Sequence, residues 1–145
     1  MERVIHGRPL VAGEVAGEML CSPEPLSFWG GYDQHSGEII DRRHPLAGEN
    51  AAGKILAIPF TRGSSTTTAV LLEAVRQGHA PAAILTTGID SFLALASIVA
   101  DEMYGRPFPV ISVDESDFES LETGQWVNIR RDGAIETARR PAGTG

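Results

Sequence analysis

Thr61-Arg62-Gly63-Ser64-Ser65 lies between an apolar run and a helix-forming stretch, and it groups the residue types that hold a small anion. Gly63 permits close approach or an unusual backbone dihedral. Ser64, Ser65 and Thr66 put hydroxyls and backbone amides at a helix start. There the unpaired N–H groups and the helix dipole favour negative charge. Arg62 adds a guanidinium that can clamp a carboxylate or phosphate through two parallel hydrogen bonds. Ser64 to Thr68 is an unbroken hydroxyl run, longer than one helix cap requires, and its β-branched threonines lower helix propensity. The same residues would also make an ordinary helix with a polar first turn, so residue types alone leave both readings open. The loop is no phosphate-cradling P-loop, because the Gly-x-x-x-x-Gly-Lys pattern is absent. No Gly-x-Ser-x-Gly nucleophile elbow occurs either.

Other candidates are less pointed. Asp41-Arg42-Arg43-His44-Pro45 clusters charge after an expected strand, and either lines a site or forms a turn around a hydrogen-bonded His44. His79 follows a helix end, where a cation suits the dipole. Asp90 reads as a helix cap. Trp29 is expected in the core or at an interface, and Trp126 in the core. Cys21 is the single cysteine. It can form no internal disulfide and cannot by itself hold a zinc or an iron–sulfur cluster, so it reads as a small half-buried hydrophobe.

The elements that must position these residues change character near residue 54. Before it, Arg3 to Val11, Glu14 to Cys21 and Glu38 to Asp41 read as strands, with a hairpin tip at Tyr32 to Gly37. Beyond it the pattern is β-α-β-α-β. The apolar run 55–60 has the look of a strand covered on both faces, and 82–87 and 110–113 read as the second and third strands. Helices are expected from Ser65 to Gln77, stopped by Gly78, and from Asp90 or Ser91 to Tyr104. The second is apolar on most sides, so it should be buried in this domain or against a partner. Glu115 to Glu122 suggests a helical turn. Gln125 to Arg130 and Ala134 to Thr137 alternate like a hairpin joined through Asp132-Gly133. The fold class expected is α/β, a central parallel unit flanked by β-rich segments. Residues 1–140 are expected to form a single domain, with 141–145 a loose tail.

A chain of 145 residues with 42% hydrophobic and 21% charged residues suits one compact domain. Twelve basic against nineteen acidic residues leave a formal charge of −7. That balance argues against nucleic acid and against an anionic membrane surface. No apolar run reaches the ~18–20 residues a membrane helix needs. The first residues carry no apolar signal core, so a cytoplasmic protein is expected.

Several short motifs occur in an order that resembles the small subunit of aconitase X-type hydro-lyases. They are Ser27-Phe28-Trp29-Gly30-Gly31, Gly37-Glu38-Ile39-Ile40-Asp41, His44-Pro45-Leu46, Gly63-Ser64-Ser65, Ala80-Pro81-Ala82-Ala83-Ile84 and Pro109-Val110-Ile111. The resemblance covers roughly residues 3–135. It implies a swivelling β/β/α domain that closes over a site shared with a large, cysteine-bearing subunit holding an iron–sulfur cluster. It also implies that Ser64 is the base that removes a substrate proton, with Arg62, Gly63, Ser65 and Thr66 around a small hydroxy-acid substrate. Where the family usually has Gly-Arg-Gly, this chain has Thr61-Arg62-Gly63, keeping the arginine and the second glycine. Two groups stand out in the family, the cis-3-hydroxy-L-proline dehydratases and the mevalonate 5-phosphate dehydratases. The hydroxyl-rich run, the segment Leu71-Leu72-Glu73-Ala74 and the stretch Asp101 to Arg106 look more like the first. A reading of another class is a non-catalytic swivel module that binds an anion for a separate enzyme.

Overall fold

The structure is a computed structural model that describes residues 3–63 and 65–138. The expected tail at 141–145 lies outside the described residues. The first half of the chain carries β1 (Arg3–His6), β2 (Arg8–Val11), β3 (Val15–Cys21), β4 (Leu26–Ser27) and the single turn α1 (Phe28–Gly31). Next come β5 (Ile55–Ala57), β6 (Thr61–Arg62), α2 (Ser65–Gln77), β7 (Ala83–Thr86), α3 (Ser91–Tyr104) and β8 (Val110–Ser112). The chain continues through α4 (Glu115–Glu119) to β9 (Trp126–Ile129) and β10 (Ala134–Ala138).

The expected strand from Arg3 to Val11 is divided at Gly7, and the division organises the molecule. β1 pairs with β10, while β2 pairs with β8. In the eight-stranded order β1-β10-β9-β3-β5-β7-β8-β2, these two halves stand at opposite ends. One residue therefore joins the two ends of the sheet, and the sheet curls back on itself. A Cβ at Gly7 would lie 2.4 Å from Ile111 Cγ2 and 3.0 Å from the Gly133 carbonyl oxygen, so only glycine passes between them. The Gly7 N–H donates to that same carbonyl at 3.0 Å.

Strand alternation sorts the apolar residues into two cores. Leu20, Leu56, Ile84 and Val110 face α2 and α3, together with Phe28, Tyr32 and Ile39. Met19, Ile55, Leu85 and Ile111 face the other way and meet Ile5, Val127, Ile129 and Ile135 inside the curled sheet. β5, β7 and β8 are parallel neighbours, with Leu85 opposite Ala57 on one side and Ile111 on the other. The β-α-β-α-β reading and both helix spans are thus observed.

Four local expectations are corrected. The strand expected to reach Phe60 ends at Ala57, because the chain turns at Pro59 and re-pairs as β6 beside β4. Glu38 to Asp41 forms only isolated bridges, Tyr32 with Ile39 and Glu38 with Asn50, rather than a strand. Trp126 is half-buried, because β9 turns Val127 and Ile129 inward and leaves its alternate residues outside. Trp29 is 70% exposed, which removes the core from its two expected settings and leaves the interface. The second long helix resolves into two faces. Leu93, Ala96, Ser97 and Ala100 are buried, whereas Phe92, Leu95, Ile98 and Met103 stand in solvent.

Candidate active site

The loop after β5 leaves the carboxyl end of a parallel strand, the place where open α/β sheets bind ligands. It is held at both sides. Asp90 accepts from the Thr61 amide at 3.0 Å and the Thr61 hydroxyl at 2.6 Å through Oδ2. Its other oxygen accepts from the Phe92 and Leu93 amides at 3.1 and 3.2 Å, capping α3. The Thr68 hydroxyl donates to the Phe92 carbonyl at 3.1 Å, so the starts of α2 and α3 are tied together. Asp90 is therefore the expected cap and also an anchor of the loop. Asp90→Ala should cost about 2–3 kcal/mol, roughly one for the cap and the rest for the Thr61 contacts. Urea denaturation checks this, with Asp90→Asn retaining part of the loss.

Gly63 has φ of 110°, a backbone conformation that side-chain-bearing residues rarely adopt. Ser65 and Thr66 are exposed in the first turn of α2, next to Gly63. Thr67, one residue on, is fully buried, and its hydroxyl has no hydrogen-bond partner among the described residues. Ser64 lies outside the described residues. Arg62 is exposed and makes no ion pair among the described residues.

Arg62 lines a cleft of about 390 Å³ with Ser27, Asp41, Arg43 and His44, along with Glu24 and two prolines. The parallel pairing of Ser27 with Arg62 brings the early segment to the loop. Asp41 is half-buried, and its Oδ1 accepts from the Arg43 amide at 3.0 Å, which fixes the carboxylate in a tight turn. Both ring nitrogens of buried His44 are used within the chain. Nδ1 accepts from the Leu46 amide at 3.1 Å, and Nε2 lies 3.4 Å from the Glu24 carbonyl. The side chain of His44 thus shapes the turn. His79 does not line this cleft, and its carbonyl accepts from the Tyr32 hydroxyl at 2.6 Å. Cys21 is half-buried with Sγ 3.5 Å from the Leu121 carbonyl, and burial pushes its thiol above the ordinary pKa. That is the wrong direction for a nucleophile.

Residues 4–137 match the family described as the aconitase X swivel domain. The chain belongs to that family. A cis-3-hydroxy-L-proline dehydratase of Pseudomonas aeruginosa is 48% identical over 136 residues, covering 94% of this chain but 23% of that protein. The phosphomevalonate dehydratase small subunit of Thermococcus onnurineus is 35% identical over 91% of this chain and 96% of its own length. The crystal structure of Thermococcus kodakaraensis aconitase X in its holo form superposes with a TM-score of 0.83 at 32% identity, over 94% of this chain and 99% of that one. This aconitase X swivel domain therefore spans about a quarter of the first-named dehydratase and nearly all of the small subunit.

The structure brings Arg62, Gly63, Ser65 and Thr66 to one place, as neighbours in sequence must be. What sequence reading missed is the company they keep. Ser27 and Glu24 join the cleft through the short β4–β6 pairing, and Asp90 reaches back to Thr61 across 29 positions. Neither link leaves a periodic trace in the sequence.

Proposed function

We propose that this swivel domain supplies the proton-abstracting half of a hydro-lyase that dehydrates cis-3-hydroxy-L-proline. The observation that carries the reading is the 48% identity to a cis-3-hydroxy-L-proline dehydratase along 94% of the chain. In this reaction Ser64 takes the proton from C2, the C2–H electron pair forms the C2–C3 double bond, and the C3 hydroxyl departs as water once protonated. The enamine produced then tautomerises to a cyclic imine. A serine hydroxyl is far too weakly acidic to act unaided at neutral pH. Its alkoxide must be stabilised by the first amides of α2 and by the Arg62 guanidinium. Ser65 and Thr66 offer further donors to the substrate. The non-catalytic alternative, an anion-binding swivel module, uses the same Arg62 guanidinium and hydroxyl-rich helix start and is separated from this reading by turnover of the assembled complex.

The rest of the site is proposed to come from a large cysteine-bearing polypeptide, separate as in the small-subunit relatives or continuous as in the longer dehydratases. Among the described residues no three His, Cys, Asp or Glu side chains group to hold a metal, and Cys21 is engaged by Leu121 and Thr123. With one cysteine in its 145 residues this chain cannot by itself hold an iron–sulfur cluster, and the cluster is proposed to sit in the partner, where it would supply a Lewis acid. The outward Phe92, Leu95 and Ile98 of α3 give that partner an apolar face beside the loop. We further infer one domain over residues 1–140 and a cytoplasmic setting, which suits a free thiol and cysteine-held iron. Among the described residues no helix is long and apolar enough to cross a membrane.

The test is to co-purify the chain with the large polypeptide and assay water elimination from cis-3-hydroxy-L-proline and from mevalonate 5-phosphate. Turnover of the hydroxyproline alone is expected. Turnover confined to mevalonate 5-phosphate would replace the substrate assignment, and activity of the isolated 145-residue chain would overturn the shared site.

A further inference from the structure

Buried hydroxyls in this fold are put to use. Thr86, Ser97 and Thr137 donate to the carbonyls of Gly88, Phe108 and Arg3 at 2.7, 2.6 and 3.2 Å. Around the loop, the Thr61 hydroxyl donates to Asp90 and the Thr68 hydroxyl to the Phe92 carbonyl. Thr67 breaks the pattern. It is fully buried, and its hydroxyl pairs with nothing among the described residues. A buried, unpaired hydroxyl works against folding, and valine fills the same shape without that penalty. A threonine kept at such a place calls for a partner met at another stage of the protein's working life.

Local geometry names that partner. The hydroxyl of a helical threonine ordinarily donates to the carbonyl four residues back, which for Thr67 is that of Gly63. A Cβ added to Gly63 would lie 3.6 Å from Thr67 Oγ1, so the hydroxyl already rests against the Gly63 backbone. Gly63 has φ of 110° and no side chain to hinder rotation of its peptide, so a small turn there closes the bond. Arg62 precedes this peptide and the first turn of α2 follows it. Closing the bond therefore fixes the guanidinium relative to the helix start.

We propose that Thr67 is a positioning residue, whose buried hydroxyl donates to the Gly63 carbonyl in the assembled enzyme and holds the loop in its working shape. The assignment rests on the shared-site reading above and deepens it, because it says what docking of the large polypeptide changes within this chain. Thr67 itself, being fully buried, does not touch the substrate.

The experiment compares Thr67→Val, which keeps the shape and removes the donor, with Thr67→Ser, which keeps the donor and gives up a methyl group. The free chain is melted. The complex with the large polypeptide is then followed by amide hydrogen exchange across residues 61–67 and by turnover of cis-3-hydroxy-L-proline. Thr67→Val should raise the Tm of the free chain by about 2–4 °C, as expected when an unpaired buried hydroxyl is removed. In the complex the same variant should exchange 61–67 about 10-fold faster than wild type and turn over about 10-fold more slowly, the scale of one hydrogen bond. Thr67→Ser should restore both. The opposed signs separate positioning from plain structural support, which would lower Tm and turnover together. A Thr67→Val chain that melts lower overturns the assignment. So does a Thr67→Val complex that matches wild type in exchange or in turnover, or a Thr67→Ser complex that behaves like Thr67→Val. A wild-type complex whose exchange at 61–67 depends on Thr67, yet which does not dehydrate cis-3-hydroxy-L-proline, upholds the positioning role and sinks the substrate reading instead.

Discussion

Replacing Ser64 by alanine should lower turnover of the assembled enzyme by ~10²–10⁴-fold, the range lost when a positioned general base is removed. Folding and association with the large polypeptide should be unaffected, because removing a single small hydroxyl group adds or subtracts little from either. The residual rate should not be restored by raising pH, since alanine offers nothing to deprotonate. In the wild type the proton leaving C2 should exchange with solvent when the substrate or product is held at equilibrium in deuterated water, and in Ser64→Ala this exchange should vanish with turnover. A variant that retains exchange while losing elimination would move the base elsewhere and leave Ser64 a role at the departing hydroxyl.

Gly63→Ala is the second large effect. Gly63 has φ of 110°, and an added Cβ would lie 3.3 Å from Thr66 Oγ1 and 3.6 Å from Thr67 Oγ1. Forcing a side chain into that conformation costs about 1–3 kcal/mol, or else the loop relaxes and shifts. Relaxation moves Arg62 and the first amides of α2 relative to each other. A displacement of about 1 Å is enough for a ~10²-fold loss of rate. Gly53→Ala is the control. Gly53 also has a positive φ, 72°, but an added Cβ meets nothing within 4 Å, and the residue precedes β5 at the end of the sheet away from the loop. It should lower stability by about 1–2 kcal/mol and leave turnover unchanged. Equal losses of activity in the two variants would show that Gly63 acts only through global stability.

The parallel unit was legible because its signals are local. Ile55 to Ile58 and Ala82 to Leu85 are apolar without alternation, as strands covered on both faces must be. Gly78 and Asp90 then punctuate the helices at the residues where α2 ends and α3 begins. The loop could be singled out for the same reason, since glycine, hydroxyls and arginine are contiguous. Less legible were features that depend on distant partners. Glu38 to Asp41 has strand-like residues, yet its neighbours offer single bridges and not a ladder. Trp126 has a core-like side chain, yet the register of β9 against β3 and β10 sends Val127 and Ile129 inward and leaves it half outside.

By itself, then, the order of residues determined the parallel unit with its two helices and marked the loop proposed to carry the chemistry, because each rests on signals within a few positions. Tertiary structure alone decided three things. Gly7 joins the ends of the sheet because Ile111 and Gly133, more than 100 residues away in the chain, leave no room for a Cβ. Asp90 serves two elements because β6 and α3 meet at one carboxylate. Arg62 and Asp41 share a cleft because a two-residue pairing carries Ser27 to the loop's edge. Closing such long loops costs entropy that no local preference can supply. The burial that offsets this cost is shared across the whole core, so no single stretch of sequence records it.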